Sequence, residues 1–335
     1  MSITQALKKI SIPVPHLQSA EPPLEPRISV LGVRRSGKST FIGGWHIRLI
    51  DKALKGELKY RVHEYRSYGL EEDTRISGQR TAAAEMREGK FPLPTPQGLA
   101  FEADMSIRFP KRFGGEKTVH IPLIDVAGED VAQSIEHISS GQWNIPAMNP
   151  IDRQLYNKIF RATGIILVMS AAGVTELEGQ PENLFPIADV NLSHIVERVL
   201  DYKAKEAKEI PIKAMACILT KYDAVAERLL AQGMDLMSAQ GRDKFMTKFL
   251  PETYSILGWY GLSKCLFLPT WVDLQYDGAG QVVWNPPDKQ GRDRPTPMIQ
   301  IDRRAGRPTF SISSSPTFCP SYDILTDWVK TNWGT

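Results

Sequence analysis

Three cysteines in 335 residues, Cys217, Cys265 and Cys319, are few and far apart. None stands in a Cys-x-x-Cys pair, so neither a disulfide framework nor a zinc site is expected; reduced thiols in a cytoplasmic protein are the reading that follows. Long apolar runs are also missing. No stretch approaches the ~18–20 residues that a membrane helix needs, and Met1 to Pro26 lacks the apolar core of a signal peptide. Nor does one charge dominate: 41 Lys and Arg face 38 Asp and Glu, a net charge of +3 with no basic cluster. Proteins that grip nucleic acid through its phosphates carry a larger, localised excess, so direct nucleic-acid binding is not expected. What the chain does have is core material. Its hydrophobic fraction, 42%, is ample for one enlarged domain or two small ones.

Residues 1–26 are proline-rich (Pro13, Pro15, Pro22, Pro23, Pro26) and read as an extended arm ahead of a domain spanning 27–335. Within that domain strands alternate with helices, which predicts an α/β fold with a mainly parallel sheet covered on both faces. Strands are predicted at Arg27–Leu31, Phe101–Arg108, Val119–Ile124, Gly164–Met169, Ile212–Leu219 and Cys265–Leu268. Helices are predicted at about Lys38–Leu54, behind Asn149-Pro150 (through Ile151, Leu155, Ile159), from Asn191 to about Lys208, over much of Arg242–Leu257, and at Ser321–Lys330. The pair Gly43-Gly44 weakens the first helix locally. Three segments exceed a minimal α/β domain, at about 55–98, 129–148 and 273–318. Loops of such length usually carry function or disorder. The last of them reads as a solvated, partly β-hairpin insertion.

Gly32-Val-Arg-Arg-Ser-Gly37-Lys38-Ser39 matches G-x-x-x-x-G-K-[ST], the phosphate loop. Each part has a physical task. Glycine permits backbone angles and a close approach that a β-carbon would block. Successive N–H groups then face a phosphate at the positive end of a helix. Lys38 adds a point charge for the β and γ phosphates, and Ser39 offers a hydroxyl oxygen to Mg²⁺. A chance match in a chain of this length is on the order of one in a hundred. The apolar strand before it and the apolar-periodic helix after it are the context the mechanism requires.

Two further motifs follow in order: Asp125-Val-Ala-Gly128 after the apolar run IPLI, and Thr220-Lys221-Tyr222-Asp223 after AMACIL. With these the chain resembles the Ras-like, translation-factor-related class of P-loop GTPases, from about Arg27 to Trp271 and again near Ser321. The resemblance implies a three-layer P-loop GTPase fold that takes GTP or GDP with Mg²⁺. It implies that Gly32, Arg34, Arg35, Ser36, Gly37, Lys38, Ser39 and Thr40 cradle the phosphates, and that Asp125 holds Mg²⁺ through water while the Gly128 N–H senses the γ-phosphate. Asp223 then accepts from guanine N1–H and its 2-amino group, donors that adenine lacks, with the Lys221 stem against the base. The bland alternative makes Asp223 an N-cap of the helical run AVAERLLA. Thr95, in Pro94-Thr95-Pro96, matches the threonine that completes the Mg²⁺ shell when a γ-phosphate is present; Thr81 competes for that place. Pro269-Thr270-Trp271 stands where the family's S-A-x lies, with Thr270 near the base and Trp271 either there or in the core.

Phosphoryl transfer needs positive charge and a positioned water. Where Ras-like proteins carry glutamine after D-x-x-G, this chain has Glu129, which can accept from a water but cannot donate to a phosphate oxygen. His137 reads as structural. The pattern G-x-x-R-x-G-K-S is similar to guanylate-binding, dynamin-related GTPases, where the arginine matching Arg35 acts as an internal finger ordered by dimerisation. The expected function is a GTPase switch for an effector or regulatory protein, with a nucleotide-dependent homodimer as a further expectation. The alternatives are an ATPase or small-molecule kinase on the same loop, or a scaffold with permanently bound nucleotide.

Overall fold

The computed structural model describes residues 27–32, 36–69, 78–92, 99–111, 114–126, 159–177, 180–183, 185–205, 208–285, 296–302, 307–308 and 319–334. In chain order its main elements are β1 (Ile28–Gly32), α1 (Lys38–Leu54), β2 (Lys59–Gly69), α2 (Gly78–Arg87), β3 (Leu99–Pro110), β4 (Glu116–Val126) and β5 (Gly164–Ser170). There follow the small hairpin β6 (Val174–Leu177) and β7 (Gln180–Asn183), α3 (Phe185–Lys205), β8 (Ala214–Thr220), α4 (Ala226–Ala231), α5 (Ala239–Phe249), α6 (Pro251–Tyr260), β9 (Cys265–Pro269) and α7 (Pro320–Trp333).

Strands β1, β5, β8 and β9 form a parallel sheet in the order β1-β5-β8-β9. Every residue of β1 and β8 is buried, as expected where both faces of a parallel sheet are covered. Strands β2, β3 and β4 form an antiparallel meander. It joins the parallel sheet at β1 through a parallel bridge between Arg27 and His120.

Register sorts the helices into two layers. Gly164 pairs with Ala214 and Cys217 with Phe267, so Gly164 and Phe267 face opposite sides. Trp333 of α7 packs where a Gly164 side chain would stand. Tyr254 of α6 meets Phe267 edge-on at 6.2 Å on the other side. Helix α1 shares the α7 side, where Trp45 Nε1–H donates to Thr326 Oγ1 (3.2 Å) and Arg48 forks onto Asp323 (2.8 and 2.7 Å). Helix α3 shares the α6 side. Its buried Asp189 accepts the N–H groups of Glu252 (2.9 Å) and Thr253 (2.7 Å), satisfying the open end of α6.

Several expectations change in detail. The predicted Arg242–Leu257 helix is two helices, because Pro251 supplies no N–H to continue the first and starts the second instead. Helix α3 begins earlier, at Phe185, with Pro186 in its first turn where the missing N–H is harmless. The segment 55–98 contains β2 and α2. Residues 273–285 and 296–300 pair in a small antiparallel ladder, with Tyr276 bridging Val282 and Leu274 bridging Ile299. The arm 1–26, the segment 129–148 and the helix behind Asn149-Pro150, except its buried Ile159, lie outside the described residues. All three cysteines are free thiols, Cys217 and Cys319 buried. Among the described residues no helix is long and apolar enough to cross a membrane, and no group of three His, Cys, Asp or Glu could hold a metal.

The glycine pair in α1 is a packing groove. A β-carbon at Gly43 would lie 2.7 Å from the Met86 sulfur of α2, and one at Gly44 would strike Tyr322 of α7, at 2.9 Å from Cζ. Helix propensity alone favours Gly44→Ala by about 1 kcal/mol. Overpacking against a fully buried tyrosine costs about 1–3 kcal/mol. The second term wins, so Gly44→Ala is expected to lower the melting temperature; a rise would show that α7 can yield at this point.

Candidate functional site

The site forms where β1, β8 and β9 end on the same edge of the parallel sheet. Strand β1 stops at Gly32. The chain re-enters the described structure at Ser36, and Gly37 caps α1 in the left-handed region (φ 78°). That conformation suits glycine, and a β-carbon there would also stand 2.9 Å from Thr220 Oγ1. Helix α1 has no side-chain cap and no acidic residue in its first turn. The positive end of its dipole is therefore not neutralised from within the helix. Lys38 is buried at that end, with Ser39 and Thr40 half-buried beside it.

Thr220, the last residue of β8, ties the loop down. Its hydroxyl lies within hydrogen-bond reach of Ser36 O and of Met169 O (3.2 Å), so one proton serves two carbonyls. The chain then turns through Lys221, which is left-handed (φ 58°), a conformation that non-glycine residues adopt chiefly where surroundings enforce it. Tyr222 N–H donates to Thr270 O (3.3 Å), and Thr270 N–H to Leu219 O (2.8 Å). The turn after β8 is thus laced to the loop after β9. Thr270's own N–H is committed to the fold and is not left for a ligand.

Asp223 follows at the rim. It is not the N-cap of α4; Val225 holds that position, without a side-chain cap bond. Burial pushes its carboxyl up to about 6, the neighbouring Asp273 adds to the rise, and the backbone N–H groups of Asp223 and Ala224 together with Lys221 oppose it.

These pieces enclose one pocket of about 300 Å³. Gly37 and Thr40 line it from the phosphate loop, and Thr220, Lys221, Asp223, Thr270 and Trp271 from the strand ends. Trp271, left open between base and core by the sequence, is buried and lines the pocket as well. The rest of the wall was not legible from motifs: Phe41, Phe91, Leu274 and Tyr322 come from four separated elements. A moment of apolar periodicity assigned Phe41 and Tyr322 to the core, and nothing local distinguishes Phe91 or Leu274.

The donor set fits a nucleotide with a divalent cation. An uncapped helix end with a buried lysine suits a phosphate, the Ser39 hydroxyl suits a hard cation, and a carboxylate at the rim of an apolar pocket suits a base with paired donors. Ser36 Oγ, buried with no hydrogen-bond partner among the described residues, is a polar atom of the kind that a bound group accounts for. Asp125 lies near the end of β4, where its backbone pairs with Phe101; its side chain is outside the described residues. Arg34, Arg35, Thr95, Gly128 and Glu129 also lie outside them.

Strand order and the helices on both faces make this a three-layer α/β fold with a four-stranded parallel sheet, and the G-x-x-x-x-G-K-S motif lies between its first strand and first helix. The chain matches no known family model and no curated protein. Among solved structures it resembles Sup35 complexed with GDP, at 10% identity over 79% of this chain and 43% of that one, with a TM-score of 0.30. It also resembles the S. cerevisiae Ski7 GTPase-like domain bound to GTP, at 13% identity over 92% of this chain and 50% of that one, with a TM-score of 0.37. The chain spans half the length of these structures or less.

The Thr220 tie can be tested without ligand. Thr220→Val keeps the shape and removes the proton that Ser36 O and Met169 O share, an expected loss of about 1–3 kcal/mol. Thermal unfolding of the nucleotide-free protein should show it as a melting point lower by several degrees. An unchanged melting point would mean that the loop is held by other means.

Proposed function

We propose that the protein binds GTP and GDP with Mg²⁺, hydrolyses GTP slowly, and acts as a nucleotide-controlled switch for a protein partner. One observation carries this reading: Thr220 joins the phosphate loop to the turn that bears Asp223, and both line a single pocket. A phosphate site and a base-reading carboxylate are thereby held on one rigid frame. The GTP- and GDP-bound state of the Ski7 and Sup35 structures is compatible with it.

In this reading Gly37, Lys38 and Thr40, with Arg34, Arg35 and Ser36, bind the phosphates. Ser39, Asp125 and Thr95 would hold Mg²⁺, which when bound draws negative charge from the β and γ oxygens. Asp223 accepts from guanine, Lys221 lies along its face, and Gly128 and Thr95 respond to the γ-phosphate. Arg35 supplies charge to the transition state and Glu129 accepts from the attacking water. The segments at about 55–98 and 129–148, set off from a domain of 27–335 with an arm at 1–26, carry the nucleotide state to an effector or to a second copy.

Nucleotide released from the purified, heat-denatured protein should be GDP or GTP. ADP would overturn the role of Asp223 and favour an ATPase or kinase. Multiple-turnover phosphate release separates a working GTPase from a scaffold that keeps its nucleotide.

A pH dependence follows from Asp223. Guanine needs the ionised carboxylate, whose value in the nucleotide-free protein is about 6. GDP affinity should therefore be level above pH 6 and weaken by roughly tenfold per unit below it. For the empty protein the sign is opposite. A carboxyl raised on folding destabilises the native state above its folded value, and that penalty fades as pH falls through about 6. The GDP phosphate also titrates, so Asp273→Asn is the control: it should move the break to lower pH, and a break that stays put assigns it to the ligand.

Catalysis is tested by the turnover of Arg35→Ala beside Arg34→Ala. An internal finger is worth roughly 10³–10⁵ in rate, so a large fall confined to the Arg35 variant is expected. Equal rates in the two variants would remove Arg35 from the chemistry.

A further inference from the structure

Two of the long segments meet at the pocket. Helix α2 ends in a turn at Glu88–Gly89, where Gly89 is left-handed (φ 85°) and Lys90 N–H closes back onto Glu85 O (2.9 Å). Gly89 O then accepts the N–H of Ile299 (2.8 Å), a fully buried residue of the ladder at 273–285 and 296–300. On its other side Ile299 bridges Leu274, while Gln300 N–H reaches Asp273 O (2.8 Å). The ladder is closed further out by Gln275 N–H on Met298 O (2.9 Å), Met298 N–H on Val283 O (2.7 Å) and Val283 N–H on Gln275 O (2.9 Å).

The consequence lies two residues along on one side and across one bridge on the other. Phe91 follows the Gly89 turn and Leu274 pairs with Ile299, and both are half-buried in the wall of the pocket that Asp223 also lines. A backbone bond between two segments remote in sequence therefore sets the spacing of two apolar walls. Each segment is anchored elsewhere: α2 rests on α1 through Met86 and Gly43, and 273–275 continue directly from β9. If the Gly89–Ile299 contact parts, the walls separate while the sheet stays whole.

We propose that the 88–92 turn and the paired stretches 273–283 and 298–300 form a clasp over the base end of the nucleotide pocket, and that parting it admits and releases nucleotide. The inference rests on the guanine-nucleotide reading above. A gate differs from a simple contact in its kinetics. Removing a contact speeds release alone, whereas loosening a gate speeds association and release together, because an opening step no longer limits either.

The test is stopped-flow association and displacement of fluorescent GDP on the full chain, comparing wild type with Phe91→Ala and Leu274→Ala. Both rates should rise in both variants, by about tenfold each for a gate that limits binding. Hydrogen exchange on nucleotide-free wild type gives a second readout: the Ile299 amide should be protected, and less so in Phe91→Ala. Unchanged rates, faster release with unchanged association, or an Ile299 amide that exchanges freely would each overturn the clasp. Wild-type protein that binds no guanine nucleotide would overturn the function itself, a result distinct from any of these.

Discussion

One hydroxyl proton connects the two halves of the site. Thr220 ends a strand whose every residue is buried, so its position is set by the core. Its hydroxyl reaches the carbonyl of Ser36 in the phosphate loop and that of Met169 at the end of β5. Buried carbonyls without donors are costly, and here a single side chain serves both. Gly37 must then lack a β-carbon for two reasons at once, its left-handed angle and the threonine that fills the space. The glycine of the loop and the threonine of the later motif are one packing unit, although the sequence separates them widely.

Charge is distributed along the pocket in a way that the same frame enforces. The loop side carries the positive end of α1 and buried Lys38, with no acid in that helix's first turn. The strand-end side carries Asp223, raised to about 6 by burial. Apolar walls lie between. A carboxylate in open water would discriminate weakly, since water could replace a missing donor; a desolvated one left unpaired is penalised. In the guanine-nucleotide reading proposed above, selectivity and the raised value share one cause.

Legibility in the sequence followed locality. The helix from Lys38 to Leu54 and the buried strands were readable because their signals, apolar period and loop motif, lie within the elements themselves. The turn after β8 was readable for the same reason, because Thr220 to Asp223 directly follow an apolar run. Gly43-Gly44 was legible only as a local weakening of the helix; its packing role lies in Met86 and Tyr322, far along the chain. The break at Pro251 was missed because apolar spacing runs through it, although the proline was in plain view. The insertion after β9 read as partly β-hairpin, but the register of its pairings at 273–285 and 296–300 was not legible, since it depends on backbone bonds rather than on alternation. Phe91 and Leu274 could not be assigned at all: only tertiary contact brings them to the pocket.

The C-terminal helix shows how such remote pieces become obligatory. Without α7, the groove over Gly44 would be empty and Tyr322 would be missing from the pocket wall. Trp45 and Arg48 would lose Thr326 and Asp323, and Thr163 would lose the Trp333 N–H (3.1 Å) that it accepts beside Arg27. Those contacts fall on the first helix, which opens at Gly37, and on Thr163 just before β5, which also holds the residue ahead of β1. The loop's geometry therefore depends on the last residues of the chain as much as on its own glycines. The site is a property of the closed sheet-and-helix assembly, and a fragment carrying all the motifs but lacking α7 would present them without the walls that make them a pocket.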